Sequence, residues 1–220
     1  MKITIIDITW DKKYEDYLYR CLAPIPYRKY KNRDEYLKTS ISKGFRKKIL
    51  IWNKEIVGTI EYAPTEFSGL PIFGKNIYVM NCIWILRRAK GHNFGKRLIN
   101  EVIQEIKTMN AKGLATIALE NYPSPWLKKE QIEKLGFNPV DSVSLRLLHK
   151  KKYRGKIFKI YLMWLPIEKY NEISSLNIEK LLKGVTFCLA HPLYHPQSYK
   201  LDKIFEKVEN NEKFQKDFSP

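Results

Sequence analysis

Between residues 87 and 98 the chain reads Arg87-Arg88-Ala89-Lys90-Gly91-His92-Asn93-Phe94-Gly95-Lys96-Arg97-Leu98. Arg87, Arg88, Lys90, Lys96 and Arg97 stand together without an acid. Gly91 and Gly95 allow close approach of the backbone, and Asn is the non-glycine type that best tolerates positive φ. Set between a strand and a helix, such a loop leaves the helix's first N–H groups facing outward, which makes an anion site, a phosphate site above all.

The flanking elements have the required character. Residues 77–86 are apolar on both faces, as a central strand is, and Leu98, Ile99, Val102, Ile103 and Ile106 trace one stripe of a helix over 95–109. Upstream, the spacing predicts a strand from Ile3 to Ile8 and helices over 11–22 and 33–45. Strands at 48–52 and 56–63 follow, around a turn at Asn53, Lys54 and Glu55. Residues 64–76, with Gly69, Pro71 and Gly74, read as a loop. Downstream come a strand at 114–119, a helix at 126–135 stopped by Gly136, and strands at 143–148 and 157–165. This order, β α α β β β α β α β β, implies an α/β (α+β) fold with a mixed, mainly antiparallel central sheet and helices on both faces.

The order and the loop together resemble the GNAT N-acetyltransferase superfamily. Its signature, [Q/R]-x-x-G-x-[G/A], is met by Lys90-Gly91-His92-Asn93-Phe94-Gly95, with Lys90 in place of Gln or Arg and Asn93 in place of the first Gly. Glu133-Lys134-Leu135-Gly136-Phe137 matches the family's frequent EKLGF stretch before its last hairpin. The resemblance covers residues 1–165. A Walker reading fails because Gly95-Lys96 is followed by Arg97 rather than Ser or Thr.

The resemblance implies an acetyl-CoA site between two splayed strands, 77–86 and 114–121. The backbone of Ile83, Trp84 and Ile85 would pair with the pantetheine arm, Lys90, Gly91, His92, Asn93, Phe94, Gly95 and Lys96 would hold the pyrophosphate, and Asn121 would close the second strand. It also implies direct transfer, in which a neutral amine attacks the thioester, a backbone N–H stabilises the oxyanion and an acid protonates the departing thiolate. The family's usual acid, a Tyr just before the EKLGF stretch, is Ile132 here. Tyr122 is the nearest substitute, with surface or core packing as its alternative. Glu61 and Glu120 are the carboxylates best placed for a base, although a glutamate in such a place is more often a solvated strand-end residue.

The remaining features exclude more than they add. The 220 residues are 44% hydrophobic and 29% charged, which suits one folded domain with an appendage. No apolar run nears the ~20 residues of a membrane helix, and residues 1–8 lack the pattern of a signal peptide, so a cytoplasmic location without membrane contact is expected. Cys21, Cys82 and Cys188 are odd in number and far apart, which suits reduced, buried thiols. His191 and His195 lie among prolines with no completing ligands, so no metal is expected. Trp10, Trp52, Trp84, Trp126 and Trp164 read as core, Trp126 also as the lining of a substrate mouth.

Residues 166–220 form a C-terminal extension: a linker over 166–177, a short helix at 178–182, a strand at 185–190 and a helix at 199–208. It is similar to the first βα unit of a thioredoxin-like domain, as appended in some bacterial acetyltransferases of the YoaP type, with a His/Pro turn in place of CxxC. The net charge of +17 suggests a polyanionic partner. A basic nucleic-acid module on residues 146–159 is disfavoured, because no nucleic-acid motif accompanies it. The expected function is acetyl transfer from acetyl-CoA to an unidentified amine; the alternative is an acyl-CoA-binding domain without catalysis.

Overall fold

The structure, a computed structural model, describes residues 2–19, 31–123, 126–148, 153–168, 175–196 and 203–208. Cys21, Pro125, the lysines at 150–152 and the first part of the expected helix at 199–208 lie outside them. Strand β1 (Ile3–Asp7) leads to the short α1 (Glu15–Tyr19), then α2 (Lys31–Ser40), β2 (Arg46–Trp52) and β3 (Glu55–Pro64). Asn53 and Lys54 join the last two strands at φ values of 49° and 70°, as the two-residue turns that suit strand twist require. The short β4 (Ile72–Phe73), β5 (Ile77–Ile85), α3 (Phe94–Thr108), β6 (Gly113–Glu120), α4 (Lys129–Glu133), β7 (Asn138–Leu147) and β8 (Ile157–Pro166) follow. The extension adds β9 (Ser175–Leu176), α5 (Ile178–Lys183) and β10 (Phe205–Lys207).

Eight strands form one sheet in the order β1-β2-β3-β5-β6-β8-β7-β10, and β4 pairs with β9 apart from it. Within the main sheet only the central pair, β5 and β6, is parallel. Neighbouring residues of β2 send side chains to opposite faces. Leu50 joins the large core under α3, where Leu98, Ile99, Val102 and Ile106 are buried. Ile49 joins a smaller core with Leu18 of α1 and Leu37 of α2. On the α3 face the Lys48 ammonium ties β2 to Glu105 of α3 at 2.5 Å. Among the described residues no helix is long and apolar enough to cross a membrane.

Several sequence expectations change in the extension and around it. The described end of the expected helix at 199–208 is strand β10, which pairs antiparallel with β7 and buries Phe205 on the edge of the main sheet. Residues 185–190 form no strand; Val185 makes a single bridge to Tyr194. The described extension shares the large core through Leu181, Val185, Phe187, Leu193 and Ile204. The helix at 126–135 shrinks to α4, because Trp126 and Leu127 form a bend and Lys128 bridges to Leu119 of β6 instead. Among the tryptophans Trp10 is the exception, 69% exposed rather than core.

Candidate active site

The parallel pairing of β5 and β6 lasts only from Ile77/Gly113 to Val79/Ala115. Beyond it Thr116 Oγ1 donates to the Met80 carbonyl at 2.9 Å, and the two strands part. A bulge accompanies the divergence: Glu61 faces Cys82 and Tyr62 faces Met80, so Asn81 is the extra residue on β5. In the gap Leu119 N–H donates to the Leu127 carbonyl at 2.7 Å, and Trp126 Nε1 donates to the Ile83 carbonyl at 3.4 Å. Leu127 takes a φ of 57°, a conformation that costs a bulky residue about 1–2 kcal/mol.

A cavity of about 470 Å³ opens where the strands have parted, against the N-terminus of α3. Ile83, Trp84 and Ile85 of β5 form one wall. Lys90, Gly91, Asn93, Phe94, Gly95 and Lys96 of the basic loop form another. Gly91 has a φ of 86°, and Asn93 is left-handed at φ 56°, ψ 21°, with no side-chain hydrogen bond capping the helix. The helix carries no acid in its first turn. Its outward N–H groups and the lysines on either side therefore suit an anion.

Two of the expected residues lie elsewhere. The His92 ring turns away from the cavity to stack on Phe94 and to pack against Trp52, at centroid distances of 5.3 and 4.7 Å. Asn121, at φ 61°, ends β6 in solvent. The wall from 126 to 135, including Trp126, Leu127, Gln131 and Ile132, was not assigned from sequence except for Trp126. Its signal was indirect: the EKLGF stretch, whose Leu135 lines the cavity, stands just downstream.

None of the three catalytic candidates lines this cavity, and each has another occupation. Glu61 is buried and accepts from Arg33 Nη2 at 2.7 Å and Lys47 Nζ at 2.6 Å, both on Oε1. Burial pushes its carboxyl up, but the charges of Arg33 and Lys47 outweigh that and hold it below the usual carboxylate range. A carboxylate so stabilised is a poor base at neutral pH. Tyr122 is buried, packs edge-on against Phe158 and donates its hydroxyl to the Pro192 carbonyl at 2.8 Å, which ties the extension to the end of β6. Burial raises its pKa. Glu120 accepts from the Tyr161 hydroxyl at 2.9 Å. Among the described residues of the cavity wall there is no carboxyl, phenol, imidazole or thiol, and Ile132 stands where a phenol was sought.

Other expected features also have places. Cys82 and Cys188 are buried and form no disulfide. His191 is buried; Nδ1 accepts from Leu193 N–H at 3.1 Å, and burial lowers its pKa to about 3. Among the described residues no group of three or more His, Cys, Asp or Glu is disposed to hold a metal ion. In the basic stretch at 146–159, Arg146 is paired with Glu206 of β10 at 3.0 Å.

Comparison with known proteins agrees with this architecture. The chain is 31% identical over 86 residues to the "Uncharacterized N-acetyltransferase YoaP" of Bacillus subtilis (strain 168), a match covering 39% of this chain and 34% of that protein's length. A GNAT-family protein from Desulfovibrio desulfuricans superposes with a TM-score of 0.54 at 14% identity, over 76% of this chain and 100% of the other. The ribosomal-protein-S18-alanine N-acetyltransferase of Escherichia coli gives 0.51 at 15% identity, over 78% and 97%. The Acetyltransferase (GNAT) family matches residues 7–137, more than half the length, from β1 through the basic loop to the end of the EKLGF stretch, and the chain belongs to that family.

Proposed function

We propose that this protein binds acetyl-CoA in the cavity between β5 and β6 and transfers the acetyl group to an amine. The observation that carries this reading is the divergence of the two strands over a helix N-terminus whose loop combines left-handed backbone with flanking lysines. In this reading the pyrophosphate sits on the N–H groups of residues 91–96, and the pantetheine arm runs along the edge of β5 that β6 leaves free. Trp126 then shares the Ile83 carbonyl with the arm or yields it.

The amine nitrogen attacks the thioester carbonyl carbon, and the tetrahedral intermediate collapses with cleavage of the carbon–sulfur bond. The amide forms, and coenzyme A leaves as its thiol with the proton that the amine gives up. With Glu61, Glu120 and Tyr122 engaged elsewhere, the reading assigns proton transfer to water, and most of the rate to positioning and to N–H groups of β5 facing the oxyanion. Acyl-CoA binding without turnover is the second reading, favoured by the absence of a carboxyl, phenol, imidazole or thiol among the described residues of the wall.

Gly95→Val tests the donor site. A Cβ at Gly95 meets only the tip of Leu135, at 2.9 Å, so the fold can adjust, but the branched side chain blocks close approach of a phosphate. Calorimetry with the folded variant should show acetyl-CoA affinity reduced by at least about a hundredfold, the loss expected when several charge-assisted hydrogen bonds are broken. Wild-type affinity would overturn the assignment. Thiol release with an amine panel separates the two readings, since tight binding without release for every amine favours the second.

A further inference from the structure

The gap between β5 and β6 is crossed by a bar. Trp126 Nε1 donates to the Ile83 carbonyl of β5 at 3.4 Å, and the carbonyl of the next residue, Leu127, accepts from Leu119 N–H of β6 at 2.7 Å. Ile83 and Leu119 each stand four residues past the last parallel pair, Val79/Ala115, so the bar lies level across the two strands. Trp126 and Leu127 are 8% and 2% exposed, and of the β5 residues in the cavity wall Ile83 is the farthest from the basic loop. The bar therefore closes the end of the donor cavity that lies away from the loop.

The indole is held from two sides. Trp84 meets it edge-on at a centroid distance of 5.8 Å, and the His191 ring packs on it at 6.0 Å. His191, from the extension, is itself buried and fixed, because Nδ1 accepts from Leu193 N–H at 3.1 Å and Phe187 packs on the ring at 5.7 Å. Phe187 in turn lines a second cavity, of about 630 Å³, between α2, the turn at 65–69 and the extension from α5 to Phe187. Two rings thus stand between the indole and that space.

With its pyrophosphate on residues 91–96, the donor sends its pantetheine arm along β5 from Ile85 toward Ile83. The acyl group is the far end of the donor, so it comes to rest against the indole. The Ile83 carbonyl has two lone pairs, and the arm can bond it with Trp126 in place. An acetyl group, with one carbon beyond its carbonyl, needs no room past the indole. A longer chain does, and a close-packed wall gives way only at a cost.

We propose that Trp126, braced by His191 of the extension, sets the acyl length of the donor, so that the cavity takes acetyl-CoA and discriminates against coenzyme A thioesters of longer chains. The inference rests on the donor site of the acetyl-transfer reading above. It gives the extension a part in choosing the donor, through a ring that touches Trp126 and not the ligand.

The test is calorimetric binding of free coenzyme A, acetyl-CoA, butyryl-CoA and hexanoyl-CoA to the full chain. Wild type should bind acetyl-CoA at least about tenfold tighter than hexanoyl-CoA, since one methylene too many in a filled pocket costs about tenfold or more. In W126A the order should reverse, because each methylene that gains an apolar wall is worth about fourfold. W126L, which keeps a smaller apolar side chain, should lose the acetyl preference. H191A should weaken that preference as the indole retreats, and H191L, which fills the same space, should keep it. Comparing ligands within one variant cancels any general change in coenzyme A affinity, and thermal melts show which variants are folded. Equal binding of acetyl- and hexanoyl-CoA by wild type, or an undiminished acetyl preference in folded W126A or W126L, would overturn the proposal. An undiminished preference in H191A would overturn the brace. If free coenzyme A and acetyl-CoA both fail to bind wild type, the donor reading fails; if they bind and chain length is not discriminated, only this inference does.

Discussion

The two cavities are built by different means. The first is made mostly of backbone: strand edges left unpaired where β5 and β6 part, the N–H groups that open α3, and left-handed turns at Gly91 and Asn93. The second is made of side chains from α2, from the turn at 65–69 and from α5 with the residues after it. A backbone site needs only the right residue types at short spacing. A side-chain site needs three distant segments held in register, so its integrity depends on what anchors α2 and the extension.

Breaking the anchor of α2 should have the largest effect. Arg33, on α2, and Lys47, on β2, share the buried Glu61 carboxylate, and Arg33 also donates to the Leu18 carbonyl at 2.7 Å. Glu61→Gln leaves two buried cations without their counter-charge, a loss of about 3–5 kcal/mol. Because the folded carboxyl's pKa is lowered, its stabilisation is fully present above the unfolded value of ~4.3 and lost as pH falls through the folded one. Denaturant unfolding of wild type and variant should therefore differ most above pH 5 and converge in acid. A general base at this position would behave otherwise, with kcat falling and stability nearly unchanged, and that result would return Glu61 to the mechanism.

Tyr122→Phe should act on the other anchor, and more mildly. It removes the hydroxyl that holds the Pro192 carbonyl, leaving a buried acceptor unpaired at a cost of about 1–3 kcal/mol. The expected outcome is a lower unfolding midpoint, with kcat within about twofold of wild type for any acceptor that is turned over. Loss of a positioned general acid would instead cost about 10²- to 10⁴-fold, so a drop of that size with stability intact would overturn the anchoring role.

The same contrast governs what could be read from the sequence. The order of elements through β8 was legible, because apolar stripes, prolines and glycines mark the boundaries, except for the two-residue β4 inside the stretch 64–76 read as a loop, whose type is set by its pairing with β9. The basic loop was legible as well, since its chemistry is local. Strand β10 was not: Phe205-Glu206-Lys207 carries too short a pattern to fix its type, and its pairing with β7 depends on tertiary contact. Residues 126–128 were read as helix because Pro123 and Pro125 suit a helix start, yet the edge of β6 captures them as a bend, through the Leu119 N–H bond to the Leu127 carbonyl and the Leu119–Lys128 bridge. Glu61 was placed in the right strand and Tyr122 just past the end of β6, and the structure engages both side chains away from the cavity. The direction of a side chain at a strand end depends on bulges and on packing partners that spacing does not encode.

The smallest effect is expected from Asn93→Gly, which sharpens the comparison on the backbone side. Asn93 lies at φ 56°, where the family's signature has glycine, and its side chain makes no capping bond to α3. If the cavity recognises its ligand through backbone N–H groups alone, the side chain is dispensable. Glycine relieves left-handed strain, and it also adds conformational freedom to the unfolded chain, so stability should change by less than about 1 kcal/mol. Acetyl-CoA affinity should be equal or a few-fold tighter, because the loop keeps its shape and gains room beside the pyrophosphate. Calorimetry on the folded variant decides it. A tenfold or greater loss would mean that the Asn93 amide itself holds the ligand, and that the first cavity, too, is partly a side-chain site.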